Sequence, residues 1–179
     1  SMLAVQAGAT HVQGTFTGIG ERCGNADLSI LIPNLQLKQG YECIENDLSS
    51  LTKTVKKITE ISNMSLPNNK PYTGYSAFAH KGGMHIDGVN KLTRSFEHVD
   101  PEAVGNNRRF LMSEVSGRTT VLAKIADLAP ELKKDSPETA AIVERLKELE
   151  HEGYQFESAD ASFELMVLTL LGRFKPHFK

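Results

Sequence analysis

The sequence Gly18-Ile19-Gly20-Glu21-Arg22-Cys23-Gly24-Asn25 follows directly on an apolar, β-leaning segment, His11–Phe16. Glycines let the backbone turn sharply and approach a ligand closely, because they carry no Cβ. The spacing does not match the dinucleotide fingerprint, because the third glycine comes four positions after the second, and no Gly-Lys-Ser/Thr of a P-loop follows. We therefore predict a strand over His11–Phe16 that ends in a ligand-binding loop, where α/β enzymes tend to keep their reactive groups.

Helices are predicted for most of the remaining chain. Pro33 is expected to kink or shorten the first of these helices, Asn46 or Asp47 to cap the second, and Ser158 to cap the last. The last helix is apolar nearly all round in its second half, which predicts that it is buried against this chain or another. From apolar periodicity and boundary residues, the predicted helices cover residues 26–38, 47–62, 82–92, 101–105, 117–128, 137–153 and 159–171.

The bulk composition narrows the class of protein. The chain has 179 residues, 40% of them hydrophobic and 23% charged, with a net charge of −2. This balance gives no reason to expect nucleic acid or an anionic membrane as a partner, and no apolar run approaches the roughly 20 residues of a membrane helix. Two cysteines, Cys23 and Cys43, do not make a disulfide framework. We therefore expect a reduced, cytoplasmic protein.

Two blocks of this sequence together, His11–Asn25 and Ser76–Gly88, resemble the acetyl-CoA-dependent 2-oxoacid synthases, a family that includes isopropylmalate, homocitrate and citramalate synthases. The residues from Tyr154 to Leu165 are most similar to the citramalate branch. The likeness continues through Asp100–Gly105, Ser116–Arg118 and Glu148–Tyr154.

The resemblance implies a fold: mainly α with a remnant βα unit, made of the C-terminal end of a (β/α)8 barrel followed by helical subdomains. Residues 1–40 would be the last strand and helix of the barrel, 41–110 a linker helix and a subdomain, and 111–179 a second helical subdomain. Leu3–Ala9 reads as the last turns of a helix, with no start signal before it. We therefore expect a segment of a larger protein that follows the His-x-His motif of the family.

Asn25 matches the asparagine of the family's Gly-Glu-Arg-x-Gly-Asn signature, which belongs to a divalent-metal site. An amide oxygen beside imidazoles and a carboxylate suits Zn²⁺, Mn²⁺ or Mg²⁺, and open positions remain for a chelating 2-oxoacid. The alternative from the residues alone is that Asn25 caps the helix beginning at Ala26, and both roles could hold together.

The resemblance also gives roles to the neighbours of Asn25. Glu21 would lie close to the acetyl-CoA thioester and help to orient deprotonation of the acetyl group, and Gly24 would contribute to cofactor binding. Without the motif, Glu21 would be read as a solvated carboxylate with Arg22 as its ion-pair partner. Cys23 has no base at a defined spacing, so we do not expect it to be a nucleophile.

His85 matches the histidine of the family's Gly-x-His-x-Asp-Gly block, where it reaches from a helical subdomain into the barrel mouth and moves protons. Without the motif it would be a surface histidine of a helix. His80 is five positions away, which differs from the zincin spacing, and it is read as structural. Many relatives place a tyrosine where this chain has Phe96, so Tyr72, Tyr75 or water would have to take its acid–base role, unless that role is dispensable.

The resemblance predicts an acyltransferase that condenses acetyl-CoA with a 2-oxoacid, preferably pyruvate to give citramalate, by a metal-assisted Claisen reaction. Isopropylmalate or homocitrate synthesis is the alternative within the family. A non-catalytic helical module that binds a partner through its apolar last helix is the alternative of another class. We expect the full-length protein to be a homodimer and the 179-residue chain to be inactive by itself, because it holds neither a His-x-His pair nor most of a barrel.

Overall fold

The computed structural model describes residues 1–45, 47–111 and 117–176 of the chain, and these residues are mainly helical, as predicted. They form two compact units, of which the first comprises Ser1–Phe78 and Glu97–Arg108 and the second Ala79–Phe96 and Arg109–Lys179. The predicted cap Asn46 and the motif residue Ser116 lie outside the described residues. The three domain segments expected from the sequence stay a prediction about the longer protein.

The first unit is built from short helices joined by irregular chain. Its core gathers six buried side chains, namely Leu48, Leu51, Val55, Tyr72, Phe78 and Val104. Turns of 3-10 helix at Phe16–Gly18 and Pro101–Val104 add to the helical content. The α-helices of this unit are α1 (Met2–Gln6), α2 (Leu28–Pro33) and α3 (Leu51–Ile61).

The strand predicted over His11–Phe16 is wrong. Its backbone makes a single isolated parallel bridge, Thr15 to Asp27, and no strand lies beside it among the described residues of the first unit. An extended segment becomes a strand only by hydrogen bonding along a partner strand. The apolar pattern of this segment therefore produces an extended arm leading into a loop, and the remnant βα unit expected from the sequence is reduced to a loop and a helix.

Pro33 divides the predicted helix 26–38, as expected. The α-helix ends at this residue, and a π-helical turn continues over Asn34–Lys38. Proline has no N–H to donate to the preceding turn, so the regular hydrogen-bond ladder is interrupted there.

The helix predicted from residue 47 begins later than expected. Asp47 accepts hydrogen bonds from the backbone N–H and the hydroxyl of Ser49, which makes a turn before α3 rather than a helix cap. Helix α3 leaves the side chain of Ile61 exposed, while Thr52 and Thr59 are buried. Both threonine hydroxyls donate to backbone carbonyls, which allows their burial.

The second unit pairs two very short strands with four helices in its described residues. The strands β1 (Ala79–His80) and β2 (Arg109–Phe110) run parallel, with Ala79 opposite Arg109 and His80 opposite Phe110. A turn of 3-10 helix covers Thr93–Ser95. The helices are α4 (Gly83–Lys91), α5 (Arg118–Lys124), α6 (Pro137–His151) and α7 (Asp160–Leu170).

Apolar packing between α5, α6 and α7 forms the core of this unit. Helix α5 ends earlier than predicted, because the chain turns at Ile125 to bury that side chain and Ala129. Helix α6 opens at Ser136-Pro137, as predicted. The fully buried members of the core are Val121, Ile142, Leu146, Phe163 and Val167.

Helix α7 starts differently from the prediction, and its burial against this chain is only partial. Ser158 has a φ of 72° and makes no cap, and Ala159 occupies the N-cap position without a side-chain hydrogen bond. Phe163 and Val167 are buried, but Leu165 and Leu170 remain 49% and 43% exposed in the described structure. No helix in the described ranges is long and apolar enough to span a membrane.

Candidate functional site

The glycine-rich stretch Gly18–Asn25 folds into a closed turn in the first unit. The Asn25 N–H donates to the Gly18 carbonyl at 3.0 Å, and the Gly24 N–H donates to the Glu21 carbonyl at 2.9 Å. The arms are joined below by the Thr15 N–H, which donates to Ala26 O at 3.0 Å. These backbone hydrogen bonds close the turn, and the residues at its tip are exposed to solvent.

Left-handed backbone conformations are concentrated in this turn. Gly18 and Gly24 have φ values of 75° and 89°, which glycine adopts at little cost. Thr17 and Arg22 also have positive φ, 65° and 57°, and a β-branched residue in this region is a strained outlier. A Cβ at Gly24 would overlap the carbonyl oxygen of Gly18. Such strain persists only where the surrounding structure enforces it, and it is concentrated at functional sites.

Asn25 is exposed, and its amide group is oriented by the turn. Its Nδ2 donates to the Ile19 carbonyl at 2.9 Å, while within the described residues its Oδ1 accepts no hydrogen bond. The alternative role of Asn25 as a helix cap is wrong: Asp27 occupies the N-cap of α2 and accepts from the backbone N–H of Ser29 at 2.9 Å. The structure thus leaves the oxygen of Asn25 available to a ligand.

The residues between Glu21 and Asn25 are all exposed. Arg22 has a φ of 57°, and the ion pair expected between Glu21 and Arg22 is not present among the described residues. Cys23 is a free, exposed cysteine. Among the residues that the structure describes, Glu21 is therefore a carboxylate without an ion-pair partner, on the same turn as the amide of Asn25.

A metal centre would need more ligands than this turn provides. A single neutral amide oxygen fits the donor chemistry of a hard or borderline divalent cation, and the unbonded Oδ1 of Asn25 has the required exposure. No group of three or more His, Cys, Asp or Glu side chains suitable for a metal occurs in the parts of the chain that the structure describes. Asn25 can thus be one ligand of a metal site but does not make one alone.

Two residues that support the turn were not identified from the sequence. The Lys70 ammonium forms an ion pair with the Asp27 carboxylate, and the two side chains are only 14% and 15% exposed. Asp27 directly follows the turn, whereas Lys70 is 43 residues further along the chain. A lysine between two prolines gives no signal of such a contact, because the pairing depends on how the segment from Ser65 to Gly74 packs.

His85 lies in the second unit, in the first turn of α4, and it is exposed. Its ring stacks on Phe96, with centroids 4.3 Å apart and planes at 28°. Phe96 in turn lies against α4 at Gly88, where a Cβ would approach Phe96 Cε2 to 2.5 Å. The structure therefore brings together the predicted histidine and Phe96, the position at which the resemblance implied a tyrosine.

Two other residues considered from the sequence, His80 and Tyr72, are buried. His80 is buried in β1 beside Phe110, with ring centroids 6.4 Å apart. Tyr72 is buried, its hydroxyl donates to Asn34 Oδ1 at 2.9 Å, and burial raises its pKa above the ordinary tyrosine value. Since this hydroxyl is committed to a buried hydrogen bond, Tyr72 is poorly suited to replace the acid–base tyrosine missing at Phe96.

Comparison with known proteins assigns both parts of the chain to described families. Residues 1–64 match the HMGL-like family, and residues 72–154 match the homocitrate synthase post-HMGL domain-like family. The first match contains the turn with Glu21, Gly24 and Asn25, and the second contains His85 and Phe96.

Individual relatives agree with these matches. The chain is 49% identical to the (R)-citramalate synthase of Synechocystis sp. and 47% identical to that of Aquifex aeolicus, over 99% of this chain in both cases. It is 35% identical over 78% of its length to the 2-isopropylmalate synthase of Brevibacillus brevis. The matched regions are 33%, 34% and 28% of those proteins, so the chain spans about a third of the length of these relatives. The chain therefore belongs to the family of acetyl-CoA-dependent 2-oxoacid synthases.

Proposed function

We propose that the full-length protein carrying this chain is an acyltransferase that condenses acetyl-CoA with pyruvate to form citramalate. The turn that leaves the Asn25 oxygen unbonded is the structural observation that carries the proposal. The choice of pyruvate is supported by the higher identity to citramalate synthases, 47–49%, than to the isopropylmalate synthase, 35%.

Asn25 is proposed to bind a divalent metal, Zn²⁺, Mn²⁺ or Mg²⁺, through Oδ1. The hydrogen bond from its Nδ2 to the Ile19 carbonyl fixes the plane of the amide, so the oxygen has a defined direction. A bound metal would chelate the 2-oxoacid and polarise its ketone. The other ligands would come from elsewhere in the full-length protein, since this sequence holds no His-x-His motif.

Glu21 and Gly24 are proposed to act at the acetyl-CoA end of the site. Gly24 has no Cβ, which lets the turn close against Gly18 and leaves its backbone accessible to the cofactor. Glu21 has no charged partner among the described residues, so its carboxylate is free to orient the acetyl group for deprotonation.

His85 is proposed as the group that moves protons during carbon–carbon bond formation. A base removes a proton from the acetyl methyl group, the enolate carbon attacks the ketone carbon of pyruvate, and the alkoxide is protonated. Water then cleaves the thioester and releases CoA. Phe96 has no exchangeable proton, so the stacked pair contains one acid–base group, the imidazole, where relatives with a tyrosine would have two.

We propose that the 179-residue chain alone has no activity, and that the full-length protein works as a homodimer. The test measures thiol release from acetyl-CoA by the full-length protein with pyruvate, 2-oxoisovalerate or 2-oxoglutarate. We expect the highest kcat/KM with pyruvate, loss of activity after metal chelation, and recovery on adding a divalent metal. Preference for another 2-oxoacid would favour isopropylmalate or homocitrate synthesis, and turnover by the 179-residue chain would contradict the proposed division of the site.

The exposed leucines of α7 support a second candidate, a non-catalytic helical module that binds a partner. In that case, replacing Leu165 and Leu170, which are 49% and 43% exposed, by glutamine should abolish association. Replacing His85 should then have no effect on any activity of the full-length protein.

A further inference from the structure

The strained turn that presents Asn25 is held from outside by a lysine of a distant segment. Lys70 Nζ contacts the Asp27 carboxylate and lies 3.5 Å from the Thr17 carbonyl oxygen. Thr17 precedes the turn and Asp27 follows it. One ammonium group therefore contacts both arms of the turn, on either side of Asn25.

Burial makes this contact specific. The Lys70 and Asp27 side chains are 14% and 15% exposed, and charged groups with so little access to water require a partner. The other oxygen of Asp27 accepts from the backbone N–H and the hydroxyl of Ser29. Asp27 thus joins the start of α2 to Lys70, and it cannot move without breaking both sets of bonds.

The backbone is strained at Thr17, the residue whose carbonyl Lys70 contacts. Thr17 is β-branched and has a φ of 65°, a strained conformation for such a residue that persists only when its surroundings enforce it. The Lys70 ammonium attracts the carbonyl of this same residue. We expect the arm before Gly18 to leave this conformation more often when that contact is lost.

Lys70 is itself well fixed. Its N–H donates to the Pro67 carbonyl at 3.0 Å, and its carbonyl accepts from the Gly74 N–H at 2.9 Å. The Gly74 carbonyl in turn accepts from the amide of Asn106, which is buried, at 3.0 Å. The backbone of Lys70 is therefore held by hydrogen bonds within a loop of the first unit.

From this arrangement we infer that Lys70 is a positioning residue for the Asn25 turn: it holds the turn in the conformation that presents the Asn25 amide oxygen. The inference deepens the proposed function and rests on it for the identity of the ligand that Asn25 meets. The positioning itself is a property of the first unit, and it can be measured without any metal.

The first test measures the turn without a ligand. Amide hydrogen exchange of residues 15–27, followed by mass spectrometry on the full-length protein, is compared for wild type, Lys70→Met, Lys70→Arg and Lys57→Met. Lys57 is the matched control, because it belongs to the same unit but forms an exposed pair with Glu60. We expect at least tenfold faster exchange in Lys70→Met, a smaller increase in Lys70→Arg and none in Lys57→Met. An exchange rate of residues 15–27 in Lys70→Met equal to that of the wild type would overturn the inference.

A second measurement needs no variant and so survives a failure of Lys70→Met to fold. In the wild-type protein, acetylation by acetic anhydride should modify Lys70 at least tenfold more slowly than Lys57, because the Lys70 ammonium is buried and paired. Equal rates at the two lysines would overturn the inference.

Binding of Mn²⁺ alone to the metal-free full-length protein separates this inference from the proposed function. Loss of a residue that orients a metal ligand typically lowers metal affinity about 10–100-fold, and we expect this for Lys70→Met, with partial recovery in Lys70→Arg. Faster exchange together with unchanged Mn²⁺ affinity would support the positioning role and contradict the metal role of Asn25.

Discussion

The two units of this chain are stabilised in different ways. The first is irregular and uses buried polar links: Lys70 with Asp27, Arg108 with Glu97, and the Asn106 amide with two backbone carbonyls. The second is helical, and its core is made of aliphatic and aromatic side chains. Most ion pairs described in the second unit lie at its surface, for example Arg145 with Glu148.

This difference shows where a functional turn can be maintained. Of the described non-glycine residues with positive φ, Thr17, Arg22, Asn63 and Tyr72 belong to the first unit and Ser158 to the second. Regular helices satisfy their own backbone groups and tolerate little distortion, whereas irregular chain needs side chains to fix it. The buried polar links of the first unit supply that fixation, and the proposed metal ligand lies among them.

The largest effect is expected at the Arg108–Glu97 pair of the first unit. Arg108 donates from Nε and one terminal nitrogen to the two Glu97 oxygens at 2.7 and 2.6 Å, and Glu97 is 3% exposed. These bonds raise the pKa of Arg108 above its ordinary value. Arg108→Met removes the two charge-assisted hydrogen bonds that Glu97 accepts from the guanidinium and should lower the free energy of unfolding by about 3–5 kcal/mol, measured by urea denaturation.

The matched change in the second unit is Arg145→Met. Arg145 pairs with Glu148 at 2.9 Å on the surface of α6, with both side chains more than 40% exposed. Exposed helix pairs contribute about 0.3–0.5 kcal/mol, so this variant should unfold almost like wild type. Equal losses for Arg108→Met and Arg145→Met would remove the distinction between the two units.

Two left-handed glycines allow a second comparison of the units. Gly105 has a φ of 66°, and a Cβ there would overlap the Ser49 carbonyl oxygen, which belongs to the backbone. Gly153 has a φ of 100° and no atom within 4 Å of its Cβ position. Gly105→Ala should cost about 3 kcal/mol or more, since the overlap adds to the conformational cost, and Gly153→Ala about 1–2 kcal/mol.

Hydrogen exchange resolved along the chain measures both glycine variants unit by unit. Gly105→Ala should speed amide exchange in Ser1–Phe78. Gly153→Ala should speed exchange only near the C-terminal end of α6. If Gly153→Ala cost as much as Gly105→Ala, crowding by the Ser49 carbonyl would not explain the difference.

The stacking of His85 on Phe96 can be disturbed without a large change in stability by a substitution at Gly88. Gly88→Ala places a Cβ 2.5 Å from Phe96 Cε2, so the exposed ring must move away from α4 and from His85. Alanine is favoured over glycine inside a helix by about 1 kcal/mol, which offsets the disturbance. We expect little change in the unfolding midpoint but a downfield shift of the His85 ring protons in NMR spectra, as they leave the Phe96 ring current.

The controls for this prediction are Phe96→Leu and Phe96→Tyr. The leucine variant should reproduce the downfield shift, because it removes the aromatic ring, while the tyrosine variant should keep the wild-type position. Unchanged His85 signals in Phe96→Leu would show that the stack is absent in solution.

The smallest effect is a pH dependence in the first unit. Partial burial and the nearby charge of Lys38 lower the pKa of His98 below 6.5 in the folded protein. The unfolded chain therefore binds more protons between the two pKa values, so stability falls as the pH drops through that window. His98→Phe should keep the edge-to-face contact with Tyr72, whose ring centroid lies 5.3 Å away. The variant should show a smaller change in the unfolding midpoint between pH 7 and pH 5 than the wild type.

The sequence predicts the second unit better than the first for a physical reason. Apolar periodicity and Ser136-Pro137 locate α6, and Gly83–Lys91 matches the helix predicted around His85, because helix formation depends on residues close in sequence. The pattern of His11–Phe16 is equally regular, yet no strand forms, since pairing depends on a partner that local sequence does not supply. The β1–β2 pair was missed because two residues per strand carry no periodicity.

The candidate site shows the same limit. The residues Glu21, Gly24, Asn25 and His85 come from motifs that resemblance identifies, and their roles stay proposals. The support of Asn25 by Lys70 could not be predicted, because 43 residues separate Lys70 from Asp27. The cap of α2 was misplaced by two residues, since Asn25 and Asp27 are both good capping residues and only the turn geometry decides between them.

Thiol release from acetyl-CoA and pyruvate by the full-length protein tests most directly the proposal that Asn25 and His85 are both needed for the condensation reaction. Asn25→Ala and His85→Ala should each lower kcat at least about 100-fold with unchanged unfolding midpoints, while Cys23→Ala, a change on the same turn, should leave kcat within about twofold of wild type. A kcat equal to that of the wild type in either the Asn25 or the His85 variant would show that the substituted side chain is not needed for the reaction.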